Sequence, residues 1–299
     1  MQFASFTLIF LFLPITMLLF YLTPNRWKRE VMLGISLLFL CSGGWLAAAV
    51  EILLTALTYG AGLLLEHLRQ RKHFSRLVLT GSILLHFGAL LLLRSDWLFS
   101  LKAGWFSGKS LFPLGLAFFT LQSVGYCIDV FRGKIHGEKN WRQLGLYLLF
   151  YPRLIMGPVV SYSVAVKSLC TPVFDIARVG QGLLRFLVGL GKKLILANWL
   201  GMLFQTLCQA DTGTYSLMLV WLGAFAQLMT LYLELSGYAD MAIGLGLCYG
   251  VRLPESFGKS LFYPSMVAFA DQWNRTVVQW FSHYVGTHFR GKNHFLYLV

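Results

Sequence analysis

Acid is scarce in this chain. Only 12 Asp and Glu stand against 25 Lys and Arg in 299 residues, and charged side chains of both signs make up 12% of it. So little charge, beside a hydrophobic content of 57% and a mean hydropathy of +0.65, excludes both an ordinary soluble globule and a disordered chain. Cysteine is sparse too: the five at positions 41, 127, 170, 208 and 248 are scattered and form no C-x-x-C pair. That spacing indicates neither a zinc site nor a disulfide framework, and the residues read as small buried hydrophobes. No Walker-type loop is present, and no G-x-G-x-x-G follows a strand, so the familiar nucleotide cradles are missing. There is no internal repeat, low-complexity linker or long polar stretch, and residues 1–299 are expected to form a single membrane domain. The N-terminus turns apolar at Phe3 with no basic region and no small-residue cleavage site, which predicts a first membrane helix over a removable signal.

What is present is a series of long apolar runs. A span needs about 20 mostly apolar residues, and the sequence predicts spans over 3–22, 45–65, 77–93, 111–131, 182–208 and 215–233. A shorter run, 31–40, ends at Ser42-Gly43-Gly44 and is expected to form a tight hairpin with the next helix. Polar groups interrupt 236–250 and 267–285, and Pro152, Arg153, Gly157 and Pro158 predict a broken or re-entrant element over 144–160. The formal charge of +13 would suggest nucleic acid in a soluble protein. Here the basic residues sit in short loops between apolar runs, so the lipid bilayer is the expected partner and nucleic acid is not. Three loops form the clearest basic clusters: Arg26, Lys28 and Arg29; Arg69, Arg71, Lys72 and Arg76; Arg132, Lys134, Lys139 and Arg142. All three should face the cytoplasm, with the N-terminus outside. Arg94, Lys102 and Lys109 then fall outside, and Trp27, Trp97, Trp105 and Trp141 mark the interfaces.

Ionisable groups inside such runs are costly, about 2.5–3.5 kcal/mol each on insertion scales, and usually face a partner or a wet cavity. The segment Glu234-Leu-Ser-Gly-Tyr-Ala-Asp240 places two carboxylates six residues apart after an apolar run. Ser236-Gly237 between them predicts a helix irregularity, and a juxtamembrane turn is the competing expectation. Gln122, Tyr126 and Asp129 share one helical face at i, i+4 and i+7, which suits either functional lining or structural pairing. Isolated Glu51 and His86 are expected to make structural hydrogen bonds. Lys192-Lys193 reads as snorkelling cations, with an anionic ligand as the alternative. Gly180, Gly182, Gly189 and Gly191 suggest close helix packing. His283, His288 and His294 are too widely spaced to form a metal site on one helix turn, though one of them could act as a general base.

Together these motifs resemble the membrane-bound O-acyltransferase (MBOAT) family, in particular its bacterial branch acting on alginate and teichoic acid. The resemblance rests on Pro113-Leu-Gly-Leu-Ala-Phe-Phe-Thr-Leu-Gln122 with Tyr126 and Ile128-Asp-Val-Phe-Arg-Gly133, on Phe150-Tyr-Pro-Arg-Leu-Ile-Met-Gly-Pro158, and on Gly191-Lys-Lys-Leu-Ile-Leu-Ala-Asn198. Ser236-Gly-Tyr-Ala-Asp-Met-Ala-Ile-Gly244, followed by Pro254-Glu-Ser-Phe257, is its most specific part. It implies an all-α polytopic membrane bundle with short, broken or re-entrant helices, set in a bacterial cytoplasmic (inner) membrane. It also implies transfer of an acyl group, acetyl first among them, from a cytoplasmic thioester such as acetyl-CoA to a hydroxyl of an exported polysaccharide or envelope polymer. Neither a metal nor a redox cofactor is implied, and envelope polysaccharide-modification proteins are possible partners. Asn274 occupies a position where the bacterial branch usually has histidine, and it is the implied catalytic residue. Gln122, Tyr126, Asp129, Glu234, Ser236, Tyr238 and Asp240 are the cavity-lining candidates. The family's principal histidine lies in a later Trp-His-Gly motif, and this sequence contains no Trp-His pair. The expectation is therefore a truncated or degenerate member that is a poor catalyst alone, with a transporter or a scaffold retaining the fold as the alternative.

Overall fold

A computed structural model describes residues 5–94, 115–154, 156–170, 175–209, 216–258 and 263–286. Among them every regular element is helical. A π-helical turn, Leu8–Phe12, leads into α1 (Leu13–Leu22). Then follow α2 (Lys28–Ser42), α3 (Trp45–His67), α4 (Lys72–Arg94), α5 (Leu116–Phe131) and α6 (Trp141–Leu149). Next come α7 (Tyr151–Leu154), α8 (Tyr162–Cys170), α9 (Ile176–Gly191), a π segment (Lys192–Ala197) and α10 (Asn198–Gln209). The last described elements are α11 (Leu217–Cys248), α12 (Met266–Gln272) and α13 (Arg275–Tyr284). Among the described residues, four stretches are long and apolar enough to cross a membrane: Trp45–His67, Lys72–Leu93, Ile176–Gln209 and Leu217–Cys248. Leu8–Leu22 and Leu116–Phe131 are shorter apolar helices. The molecule is an all-α membrane bundle.

The three basic loops meet at one end. Arg69 reaches the Gly133 carbonyl at 3.5 Å, and Glu66 Oε1 lies 3.0 Å from His136 Nδ1. Arg29 and Arg142 border one small crevice. Trp97, Lys102, Trp105 and Lys109 lie outside the described residues, as does the side chain of Arg94.

The longest element corrects the sequence reading. No turn or break occurs at Ser236-Gly237, because α11 runs unbroken for 32 residues. At about 1.5 Å per residue that is about 48 Å, well beyond a hydrocarbon core of about 30 Å. Gly237 is needed instead for helix approach. A Cβ there would lie 2.9 Å from the Gly189 carbonyl oxygen, and one at Gly189 would lie 2.6 Å from that of Gly237. Gly182 and Gly244 form a second reciprocal pair: a Cβ on either would lie 2.6 Å from the other's carbonyl oxygen. Two glycines seven residues apart on each helix thus let the α9 and α11 backbones touch, the packing that membrane interfaces favour where no hydrophobic force acts between helices. Gly180 and Gly191 face open space and take no part. The irregularity lies across the seam, in the π segment Lys192–Ala197.

The break expected over 144–160 is present. Lipid cannot satisfy an interrupted backbone, so protein groups must. Tyr147 Oη donates to the Val160 carbonyl at 2.8 Å, and Thr276 Oγ1 accepts from the Val159 amide at 3.2 Å. Ser36 Oγ accepts from the Tyr151 amide at 3.2 Å. Arg153, 1% exposed, donates to the Tyr147 carbonyl near the C-terminal end of α6 and to Gln122 Oε1 at 3.2 Å. A guanidinium thereby caps one orphan helix carbonyl within the bundle.

Candidate functional site

Where α9 and α11 touch, their charged side chains interlock. Arg185 donates through Nε and Nη2 to Asp240 Oδ1 at 3.1 and 3.0 Å, and through Nη1 to Glu255 Oε1 at 2.6 Å. Its Nη2 also donates to Glu255 Oε2. Lys192 Nζ binds the other Asp240 oxygen at 2.6 Å, and Lys193 pairs with Glu234 while lying over the Tyr238 ring. The π segment begins at Lys192, next to the acids its two lysines meet. Such segments inside α-helices often occur at functional sites.

Beside this ladder lies a cleft of about 480 Å³, lined by Arg185, Lys192, Ser236, Asp240, Glu255, Gln272 and Arg275 among others. Its far wall comes from the two short helices, which are too short to span a membrane. Tyr232, Phe257 and Trp273 pack ring against ring with centroids 5.6–5.8 Å apart, tying α12 to α11. Two backbone bonds join the loop to this wall: Gly258 N to Gln272 O at 3.1 Å and Arg275 N to Ser256 O at 2.7 Å. Between those bonds sits Asn274 in the left-handed region, φ 45°, and it is the only non-glycine residue with positive φ among the described residues. Its amide makes no hydrogen bond among them. Asparagine tolerates this conformation better than most residues, and strain of this kind clusters at functional sites.

A second cleft, about 350 Å³, opens on the other side of the same segment. Asp129, Lys134, Ser161, Thr276, His283 and Tyr284 are among its lining. Tyr284 Oη donates to Asp129 Oδ2 at 2.7 Å, and Lys134 Nζ lies 2.6 Å from His283 Nε2. Burial first, and the Asp129 carboxylate second, push the Tyr284 hydroxyl above the ordinary phenol range, so it remains a donor. Thr276 joins the clefts, with Oγ1 lying 3.3 Å from Ser256 Oγ. A third opening of about 700 Å³ runs along α10 and α11 and includes Asn198, Gln227 and Glu234.

The structure separates the sequence-selected residues. Ser236 and Asp240 line the first cleft, Asp129 the second and Glu234 the third. Gln122 and Tyr126 border none of the three; Gln122 meets Arg153, and Tyr126 Oη accepts from the Glu138 amide at 2.8 Å. Asn274 borders none of the three either, being flanked by lining residues. His283 lines the second cleft, whereas His288 and His294 lie outside the described residues. His86 makes the expected structural bonds, to Thr58 at 2.9 Å and Ser82 O at 2.8 Å. Glu51 departs from that expectation: its buried oxygens find no hydrogen-bond partner among the described residues. Lys192 and Lys193 do not snorkel, since each has a carboxylate facing it across the seam. Arg185 was missed by sequence reasoning. Its signal was present, because it lies seven residues before Lys192 on one helix face, opposite the acid pair. The described residues bring together no group of three metal-ligating side chains.

Fold and site together define an integral membrane protein with a charged cleft beside a helix seam. A family model for the membrane-bound O-acyltransferases matches residues 143–296. Its range takes in the ion-pair ladder and Asn274. The chain belongs to this family. It is 28% identical over 299 residues to a probable alginate O-acetylase of Azotobacter vinelandii, covering 95% of this chain and 59% of that protein. It is 30% identical over 292 residues to a probable alginate O-acetylase of Pseudomonas fluorescens, covering 95% of this chain and 56% of that one. A peptidoglycan O-acetyltransferase of Helicobacter pylori is 26% identical over 205 residues, covering 58% of this chain and 38% of that protein. The chain thus spans somewhat over half the length of the alginate relatives.

Proposed function

We propose that the protein transfers an acyl group, most simply acetyl, from a cytoplasmic thioester to a hydroxyl of an exported polysaccharide or other envelope polymer in the bacterial cytoplasmic membrane. The acceptor oxygen forms the new ester bond as the carbon–sulfur bond breaks, and the hydroxyl proton leaves with the thiol. The carrying observation is the placement of the 272–276 segment. It contributes Gln272 and Arg275 to one cleft and Thr276 to the other, so Asn274 lies in the short segment between the two clefts without bordering either. The Asn274 amide, without a hydrogen-bond partner among the described residues, is available to orient a reactant or to stabilise the developing oxyanion. The relatives' names, alginate and peptidoglycan acetyl transfer, support this reading.

The test is to delete the gene in its host, measure ester-linked acyl groups on the isolated envelope polymers, and complement with wild type or Asn274→Ala. Wild type should restore the esters, while the variant should restore them with a rate lower by about 10²–10³, the usual cost of one oxyanion donor. Ester content unchanged by deletion, together with altered solute uptake, would favour the transporter reading instead.

A further inference from the structure

The first cleft carries a charge imbalance. Its lining holds three cations, Arg185, Lys192 and Arg275, against two carboxylates, Asp240 and Glu255. Both carboxylates are saturated. Asp240 Oδ1 accepts from Arg185 and Oδ2 from Lys192, and both Glu255 oxygens accept from Arg185. Arg275 remains: its backbone amide is held by Ser256 O, yet its guanidinium makes no ion pair or hydrogen bond among the described residues. On the opposite wall, Ser236 is 2% exposed and its Oγ has no hydrogen-bond partner among the described residues. Gln272 adds an amide beside Arg275. A buried hydroxyl without a partner and an uncompensated guanidinium in one recess call for a ligand group that accepts hydrogen bonds and carries negative charge. A cationic ligand would find no free acid, and an apolar chain would desolvate the ion pairs.

We propose that this cleft holds a substrate through a singly charged oxyanion, a carboxylate or a phosphate, bound by Arg275 with Gln272 and Ser236 as hydrogen-bond partners. The proposal rests on the acyl-transfer reading only for where the anion originates, either a uronate-type acceptor or the phosphate-bearing arm of a thioester donor.

The test is calorimetric titration of the full chain in discs of uncharged lipid with three probes: an oligouronate, an uncharged hexose oligomer of equal length, and coenzyme A. One charged probe should bind more tightly than the neutral oligomer by about tenfold or more, the scale of one charge-assisted contact. Binding of the oligouronate identifies the acceptor as the source, and binding of coenzyme A identifies the donor. Arg275→Gln should abolish the preference, Arg275→Lys should keep part of it, and Ser236→Ala should weaken the charged probe by a few fold. Wild-type affinity for that probe should also fall as salt rises, a readout that does not depend on any variant folding. Charged and neutral probes binding alike, no binding of either charged probe, salt-independent binding, or charged-probe affinity unchanged in Arg275→Gln would each overturn the proposal. Arg275-dependent binding without ester loss in the gene deletion would leave the anion site standing and remove the acyl-transfer reading. Normal ester formation with no charged-probe preference would do the reverse.

Discussion

At the scale of single residues, Asn274 combines two properties that a mutation can separate. Its backbone is left-handed, and its side chain carries an amide without a partner among the described residues. Glycine accepts that backbone without strain, whereas an ordinary Cβ costs about 1–2 kcal/mol there. Asn274→Gly should therefore hold thermal stability near wild type, and Asn274→Ala should lower it by about 1–2 kcal/mol. Both should lose polymer esterification alike, because both lack the amide. Thermal unfolding in detergent and ester content in complemented cells provide the two readouts. Full activity in Asn274→Gly would show that the turn matters and the amide does not. Arg153 is the other telling residue. As a lone sequence letter it looks like a buried charge in need of an acid, yet its observed partners are the Tyr147 carbonyl and the Gln122 amide oxygen.

At the scale of elements, the seam between α9 and α11 is held by backbone proximity as well as by charge. A methyl group at Gly189 would approach the Gly237 carbonyl to 2.6 Å, and both contact atoms belong to rigid helix backbone that cannot step aside. Gly189→Ala and Gly244→Ala should push the helices apart, lengthen the Arg185–Asp240 and Lys192–Asp240 contacts, and destabilise by about 1–3 kcal/mol, the range for overpacking. Gly180→Ala and Gly191→Ala meet open space and should be neutral or stabilising, by up to about 1 kcal/mol of helix propensity. Thermal unfolding of the four variants checks this, and Gly189→Ala behaving like Gly191→Ala would sink the tight-seam account. The seam also explains why α11 does not break. Ser-Gly inside an apolar run is a fair signal for a kink when read alone, but here the glycine serves a neighbour that sequence does not reveal.

At the scale of the whole molecule, the arrangement of the basic loops is the strongest constraint. Contacts among Arg69, Gly133, Glu66 and His136 place two of the loops at one end, and the crevice shared by Arg29 and Arg142 brings the third. Single cysteines replacing Arg26, Arg71 and Lys134 should all be modified by an impermeant thiol reagent only when it reaches the cytoplasmic face. Labelling of any two from opposite faces would refute the arrangement. The second cleft, which holds Lys134 and His283, includes a residue of the third basic loop in its lining.

Hydropathy, loop charge and motif order were enough to establish an all-α membrane protein, its approximate spans, the broken 144–160 element and the family. Those properties follow from each segment's own transfer energy and from local backbone chemistry, which the sequence carries residue by residue. The structure alone decided that α11 is continuous, that the irregularity belongs to 192–197, and that Lys192, Lys193 and Arg185 answer Glu234, Asp240 and Glu255. It also decided that Gln122, Tyr126 and Asp129, equivalent on one helical face, reach three different partners. Those outcomes depend on which surfaces lie opposite one another. A carboxylate at a given position costs the same to bury whichever cation faces it, and only the packing of one helix against another selects that partner.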